Sequence, residues 1–139
     1  MKISIRNFQK KIPVYPKRIK KTILKVLSKE KAKISGEITV CFVNDSRIKK
    51  LNKTFHHRDS PTDVLTFDFA EPGNAKGILV DIIISTDTAL RNAKIFKTAP
   101  EYELNLYLIH GILHLLGYDD RTAKQKQLMR KKEKQYVYT

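Results

Sequence analysis

Two histidines four residues apart, His110 and His114, stand out in the sequence, and an aspartate, Asp120, follows the second. Side chains at positions i and i+4 of a helix lie on one face with Cβ atoms about 5 to 6 Å apart, so both imidazoles can reach one metal ion. Gly117 can end such a helix in a left-handed conformation and turn the chain so that Asp120 approaches the same ion. Three protein ligands leave one position open, which is typical of catalytic zinc sites.

The alternative is that both histidines are ordinary residues of an amphipathic helix. They lie in the apolar run 107–116, where a buried imidazole without a partner would cost about 1 to 3 kcal/mol in lost hydration. A shared cation removes that cost. We therefore predict one divalent metal ion at His110, His114 and Asp120, with Asp119 as the rival for the third ligand.

The formal net charge of +14 is concentrated at the two ends of the chain. Residues 1–33 hold twelve Lys or Arg and one acid, residues 121–139 hold seven and one, and residues 34–120 hold nine basic and twelve acidic residues. Two basic segments fit a phosphate-backbone footprint, so nucleic acid is the preferred partner and an anionic membrane surface the second choice. Lysines that simply form a solvated helix face are the alternative. The residues predicted to contact RNA are Lys17, Lys20 and Lys21.

The length of 139 residues predicts a single domain over 1–139, and its 41% of hydrophobic residues can fill a core. No stretch approaches the roughly 18 apolar residues of a membrane-spanning helix. The first residues also lack the apolar segment of a signal peptide. We therefore expect a cytoplasmic protein whose partner is nucleic acid in preference to a membrane.

Hydrophobic periodicity predicts an α+β fold with elements in the order βαβαββααα. Strands are predicted at 2–6, 37–43, 63–69 and 78–84. Capping residues and spacing predict helices that begin at Tyr15-Pro16 and Asn44-Asp45, a helix over 86–96, a histidine helix from Pro100 to Gly117, and a basic helix over 121–136. A turn is predicted over 71–77. The four strands are expected to form one sheet with helices packed on it.

Residues 110–119, His-Gly-Ile-Leu-His-Leu-Leu-Gly-Tyr-Asp, fit the motif of the YbeY family of bacterial endoribonucleases. A second block of that family is matched by Leu51-Asn52, Asp59 and Pro-Thr-Asp-Val-Leu-Thr-Phe at 61–67, and a weaker third by 81–85. The chain resembles this family over nearly its whole length. The resemblance implies a core similar to that of zinc peptidases, a zinc ion on the motif, and cleavage of single-stranded RNA. It also implies a role in ribosomal RNA maturation and ribosome quality control, with precursor ribosomal RNA and the small ribosomal subunit as partners.

Two positions depart from the family pattern. Asp120 stands where the family has its third metal-binding histidine, and His56 stands where it has an arginine. Aspartate is an acceptable zinc ligand at about 2.0 to 2.2 Å. With two imidazoles it leaves the site one formal positive charge lower than three imidazoles would. The second departure changes the expected contact with phosphate.

Several residues outside the motif are candidates for supporting roles. We predict that Arg58 stabilises the charge of the transition state, with assistance from His56. Asp81 interrupts an apolar strand, where it either orients a histidine ring or accepts from helix-terminal amides. Thr62 and Asp63 are interpreted as a turn or helix cap in preference to catalytic groups.

Three functions remain open from the sequence. The leading hypothesis is a metal-dependent, single-strand-specific endoribonuclease that acts on precursor ribosomal RNA. A metallopeptidase is disfavoured, because zinc peptidases carry a glutamate directly after the first histidine and this chain has Gly111 there. The third hypothesis is a non-catalytic RNA- or ribosome-binding protein whose metal is structural.

Overall fold

The computed structural model describes residues 1–71, 73 and 77–137, and its elements follow the predicted order βαβαββααα. The strands are β1 (Lys2–Asn7), β2 (Gly36–Val43), β3 (Val64–Asp68) and β4 (Ile78–Ser85). The helices are α1 (Pro16–Lys29), α2 (Asp45–His56), α3 (Thr86–Phe96), α4 (Pro100–Leu115) and α5 (Ala123–Val137). Four residues of the turn predicted over 71–77, namely 72 and 74–76, lie outside the described residues.

The four strands form one mixed sheet in the order β1-β2-β4-β3, as expected for an α+β fold. Strands β1, β2 and β4 are parallel, and β3 is antiparallel to β4, with Val64 opposite Ile84 and Asp68 opposite Val80. Strand β3 is therefore an edge strand. Its side chains alternate between the two faces of the sheet.

Helices cover the sheet on both faces. Val80, Ile82 and Ile84 of β4 are buried in the larger core together with residues of α1, α4 and α5. The alternate residue Ile83 packs on the other face with Ile48 of α2. This arrangement confirms the predicted sheet with helices packed on it.

Helix α4 lies close to the sheet because Gly111 has no side chain. A Cβ atom at that position would lie 3.0 Å from Ile82 Cγ2 and 3.3 Å from Thr66 Oγ1. Pro100 is suited to the first turn of the helix, where its missing N–H costs no hydrogen bond. The close contact holds the histidine-bearing half of α4 against β3 and β4.

Helix α4 ends at Leu115, two residues before the predicted end at Gly117. The Tyr118 N–H donates to Leu113 O at 3.0 Å and the Gly117 N–H donates to His114 O at 3.0 Å. With Gly117 at a φ of 99°, these bonds form a Schellman motif. Gly117 thus reverses the chain after the helix, as predicted.

Helix α5 begins at Ala123, whereas the predicted start was residue 121. The Thr122 hydroxyl accepts from the Gln125 N–H at 3.1 Å, and the Gln125 side chain accepts from the Thr122 N–H at 3.0 Å. This reciprocal pair is a capping box, which fixes the first turn after Thr122. Strand β3 is likewise shorter by one residue at each end than the predicted 63–69.

No helix within the described part of the chain is both long enough and apolar enough to cross a membrane.

Candidate metal centre

The structure brings His110, His114 and Asp120 together, as the spacing predicts. The two histidines lie on successive turns of α4, with ring centroids 4.6 Å apart. Asp120 Oδ2 lies 3.5 Å from His110 Nε2 and 3.6 Å from His114 Nε2. One ligand atom from each residue lies within 4.8 Å of the others. These three residues are referred to below as the metal triad.

The spacing of the metal triad fits a single divalent ion. Donor atoms at about 2.0 to 2.2 Å from one tetrahedral zinc are about 3.3 to 3.6 Å apart. The two observed separations between imidazole and carboxylate are close to that range. Two imidazoles and one carboxylate also suit zinc better than magnesium or calcium, which prefer oxygen ligands. The side chains remain 22%, 32% and 42% exposed, so one side of the group is open to solvent.

The rival ligand Asp119 does not belong to the triad. Its Oδ2 lies 3.2 Å from Arg121 Nε, and its Oδ1 accepts from the Asp120 N–H at 2.9 Å. These contacts direct the Asp119 carboxylate to the loop and away from the histidines.

Glu133 of α5 supports His110 from behind. Its Oε1 lies 3.1 Å from His110 Nδ1, and its side chain is only 15% exposed. A carboxylate at Nδ1 keeps the proton on that nitrogen. The lone pair of Nε2 then faces the other two members of the triad. Burial opposes protonation, but the hydrogen bond and negative charge of Glu133, with the charges of Asp63 and Asp120, raise the pKa of His110 above its ordinary value.

The contact of Glu133 with His110 was not predicted from the sequence, although the sequence contains a signal for it. Glu133 is the single acid among the seven basic residues of 121–139. It also lies four residues after Met129 and three before Tyr136, both of which are buried. An acid on the buried face of a basic helix needs a partner inside the protein.

Asp81 does not lie near the histidines, which corrects its predicted role as the residue that orients a histidine ring. It borders a groove with Arg6 and Cys41 on the face of the sheet opposite to α4. The reason is strand alternation, because the neighbouring Ile82 contacts Gly111 of α4 and Asp81 must therefore point the other way. Burial raises the pKa of the Asp81 carboxyl above its ordinary value.

The loop that carries Asp120 is anchored through Tyr118. The Tyr118 hydroxyl donates to the carboxylate of Glu30, which follows α1 and also accepts from the Tyr136 hydroxyl and from Lys132 Nζ at 3.0 Å. Burial alone would raise the pKa of Glu30, but these donors hold it below its ordinary value. The Glu30 network thus joins α1, the ligand-bearing loop and α5.

A cleft of about 560 Å³ opens over the metal triad. Its other wall comes from β3, the segment before it and the end of α2. The polar residues of that wall are His56, Thr62, Asp63, Thr66 and Asp68. The metal triad therefore faces a second set of polar side chains across an open space, which gives a substrate access to both.

Thr62 and Asp63 make the local contacts of a turn and also line the cleft. Asp63 Oδ1 accepts from the Val64 N–H at 2.8 Å and from the Thr62 hydroxyl at 3.2 Å. The negative charge of Asp63 also acts on His110. The turn interpretation of the sequence is consistent with these contacts, and the structure adds a carboxylate beside the triad.

The structure brings His56 to the cleft but not Arg58. His56 is exposed, and its ring stacks on Phe67 with the centroids 5.7 Å apart and an angle of 15° between the planes. Helix α2 then ends at His56, and its C-cap residue His57 adopts a left-handed conformation with φ of 58°. Arg58 follows this reversal, is exposed, and is absent from the described lining of the cleft.

Lys17, Lys20 and Lys21 are exposed on the first half of α1. Neighbouring residues of this half line a groove with Glu101 and Leu104, which belong to the first half of α4. The histidines lie on the second half of α4. The three lysines are therefore near the end of α4 remote from the metal triad.

The fold and the site together define a class of protein. A mixed sheet supports a helix with histidines at i and i+4, and a carboxylate on the following turn completes an open group suited to a hydrolytic metal ion. The sequence profile described as Endoribonuclease YbeY matches residues 4–139. The chain belongs to the YbeY family, which confirms the resemblance found in the sequence.

Individual relatives agree with this assignment. A protein named Endoribonuclease YbeY from Anaeromyxobacter sp. (strain Fw109-5) is 44% identical over 97 residues, which cover 69% of this chain and 50% of that protein. The Endoribonuclease YbeY of Syntrophus aciditrophicus (strain SB) is 34% identical over 143 residues, which cover 99% of this chain and 89% of that protein. The chain thus spans half the length of the first relative and most of the second.

A solved structure supports the fold. The solution structure of TM1509 from Thermotoga maritima superposes with a TM-score of 0.66 at 33% sequence identity. The match covers 97% of this chain and 86% of that one. The predicted α+β fold is confirmed.

Proposed function

We propose that residues 1–139 form one endoribonuclease domain that cleaves single-stranded RNA with one divalent ion, preferably zinc, held by His110, His114 and Asp120. The observation that carries the proposal is the metal triad itself, which lies in an open cleft and has donor spacing suited to one ion. The names of the YbeY relatives support RNA as the substrate.

The ion would supply Lewis-acid stabilisation to a phosphate oxygen or to the attacking nucleophile. Glu133 keeps the proton on His110 Nδ1, so that Nε2 is available as a donor atom. Asp63 accepts the proton of the nucleophilic O–H as the new P–O bond forms, and the leaving oxygen takes a proton from solvent as the old P–O bond breaks. His56 donates a hydrogen bond to the phosphate from the opposite wall of the cleft. Arg58 would assist if the loop after His57 closes towards the bound RNA.

The position after the first histidine argues against peptide hydrolysis. A Cβ atom at Gly111 would lie 3.0 Å from Ile82 Cγ2 and 3.3 Å from Thr66 Oγ1, so a larger side chain would require these neighbours to move. The base used by zinc peptidases therefore has no counterpart at this position.

The basic ends of the chain support a polyanionic partner. Lys17, Lys20 and Lys21 are exposed on a helix with no acid in its first turn. They would contact the phosphate backbone at a distance from the cleft and hold a long RNA in place. Within this proposal the substrate is precursor ribosomal RNA, the partner is the small ribosomal subunit, and the location is the cytoplasm.

The test is cleavage of matched single-stranded and duplex RNAs by purified protein before and after chelation. The single strand is expected to be cut, with activity lost on chelation and restored by zinc. The variant His114→Ala, prepared in parallel, controls for contaminating nucleases. Fully metal-loaded protein that binds RNA without cutting it would instead establish the non-catalytic alternative.

The same preparations test the contribution of the lysines. Each phosphate neutralised on a single strand adds about 0.7 to the slope of log K against log salt. Charge reversal at Lys17, Lys20 and Lys21 should flatten that slope, whereas reversal at the exposed Lys94 and Lys97 of the α3 end should not. Equal slopes for all variants would mean that the α1 lysines form only a solvated helix face and do not contact RNA.

A further inference from the structure

Four aromatic rings form a group at the edge strand β3 and the adjoining end of α2. Phe67 lies at its centre, stacked on Phe69 with centroids 6.1 Å apart and on His56 with centroids 5.7 Å apart. Phe55 tilts against Phe67 at 5.1 Å. We refer to Phe55, His56, Phe67 and Phe69 as the aromatic row.

The outer rings of the aromatic row are exposed to solvent. Phe55 is 54% exposed and Phe69 is 53% exposed. Single exposed apolar residues are common on protein surfaces and need no explanation. Here, however, two exposed rings belong to one stacked group whose centre, Phe67, packs on the smaller core. The fold thus holds an aromatic surface in place without covering it.

The aromatic row lies next to the cleft. Along β3, Thr66 and Asp68 point into the cleft, so that Phe67 and Phe69 point to the other face of the sheet. His56 belongs to both surfaces, because it lines the cleft and stacks on Phe67. An extended ligand that crosses the edge of the sheet at His56 would therefore pass from the aromatic row to the metal triad.

The chemistry of the row fits unpaired nucleobases. Every base has a π face, and single-stranded RNA is commonly bound by stacking its bases on aromatic side chains. A duplex keeps these faces inside its own stack. Residues 60–71 on the β3 side hold three acids and no Lys or Arg, but residues 45–59 on the α2 side hold five Lys or Arg and two Asp, a local charge that fits a polyanion. A purely apolar partner would not require that charge.

We propose that Phe55, His56, Phe67 and Phe69 form a stacking platform that binds the bases of single-stranded RNA beside the metal cleft. The platform would present the adjoining phosphate to the metal triad and would favour single strands over duplexes. This inference rests on the proposed function, because it assumes that RNA is the substrate. It assigns to the aromatic row the stacking of RNA bases, a contact that the metal triad does not provide.

The test is equilibrium binding of a fluorescently labelled oligouridine and of a duplex RNA, by anisotropy, with chelator present so that neither is cut. Phe69→Ala and Phe55→Ala should each weaken binding of the single strand about fivefold or more, the lower range for losing one base–aromatic stack. Duplex binding should change little. The matched control is Phe96→Ala, because Phe96 is 64% exposed at the end of α3 and lies outside the row.

Two substitutions at Phe69 separate stacking from general apolar contact. Phe69→Trp keeps an aromatic face and should bind the single strand at least as tightly as the parent. Phe69→Leu keeps an apolar side chain without that face and should bind as weakly as Phe69→Ala. If Phe69→Leu binds like the parent, or if both alanine variants lose no more affinity than Phe96→Ala, the platform is wrong. A parent protein that binds no RNA would refute the proposed function itself.

Discussion

The two walls of the cleft differ in how their side chains are held. The helical wall presents His110 and His114, and partly buried carboxylates from other elements support it. The opposite wall, formed by β3 and the preceding segment, presents exposed or half-buried groups such as His56 and Asp63, held by local turn contacts and a ring stack. A metal ion needs donors held at fixed distances, which the helical wall provides, whereas the opposite wall presents its polar groups to a substrate in the cleft. We infer that the helical wall binds the metal and that the opposite wall acts on RNA.

The largest effect on activity without loss of metal is expected from Asp63→Asn. The amide oxygen can still accept from the Val64 N–H, so the turn should persist. Loss of the proton acceptor should reduce RNA cleavage about 100-fold to 10,000-fold. Cleavage rates and metal content are measured together, with Asp68→Asn as a control from the same wall. If Asp63→Asn cleaves at the parental rate, Asp63 has only its turn role.

Removing the carboxylate that supports the helical wall should instead weaken metal binding. Glu133→Gln takes away the charge that faces His110 Nδ1. Metal affinity should fall about 10-fold to 100-fold, as is usual for residues that orient a metal-binding histidine. Competition with a chromophoric chelator measures this, and Glu101→Gln on the exposed first turn of α4 serves as the control. An unchanged affinity would show that the Glu133 contact is dispensable.

These two positions also show how far the sequence was informative. The metal triad lies within eleven residues, so helix periodicity and Gly117 sufficed to predict it. The contact of Glu133 depends on how α5 packs on α4, which no local pattern specifies. The predicted contact of Asp81 with a histidine ring was wrong because strand alternation assigns residues to two faces of the sheet but does not indicate which face α4 covers. The position of Arg58 depends on the left-handed residue His57, which periodicity does not reveal.

The Glu30 network gives the helical wall a dependence on pH. Its donors lower the pKa of Glu30 in the folded state, so its stabilisation is present above the unfolded-state pKa and is lost as the pH falls through the lowered folded-state pKa. At neutral pH Glu30→Gln should reduce the free energy of unfolding by about 1 to 3 kcal/mol. Urea unfolding at several pH values should show this difference shrinking in acid. A difference that stays constant with pH would contradict the assigned cause.

A smaller and more selective effect is expected from Tyr118→Phe. Tyr118 and Tyr136 both donate to Glu30, but only Tyr118 belongs to the loop that carries Asp120. Loss of one hydrogen bond, about 1 kcal/mol, should weaken metal binding about fivefold in Tyr118→Phe. Tyr136→Phe should reduce stability without that change. Equal metal affinities in the two variants would mean that the Glu30 network does not position the loop.

The central claim is that His110, His114 and Asp120 hold one divalent ion, and metal content after gel filtration tests it most directly. The parent and Asp119→Ala should each carry about one zinc or similar ion per chain. Asp120→Ala should lose the ion as fully as His114→Ala, and Asp120→His should retain it. If Asp119→Ala loses the ion while Asp120→Ala keeps it, or if His114→Ala keeps it, the assignment of the metal centre is wrong.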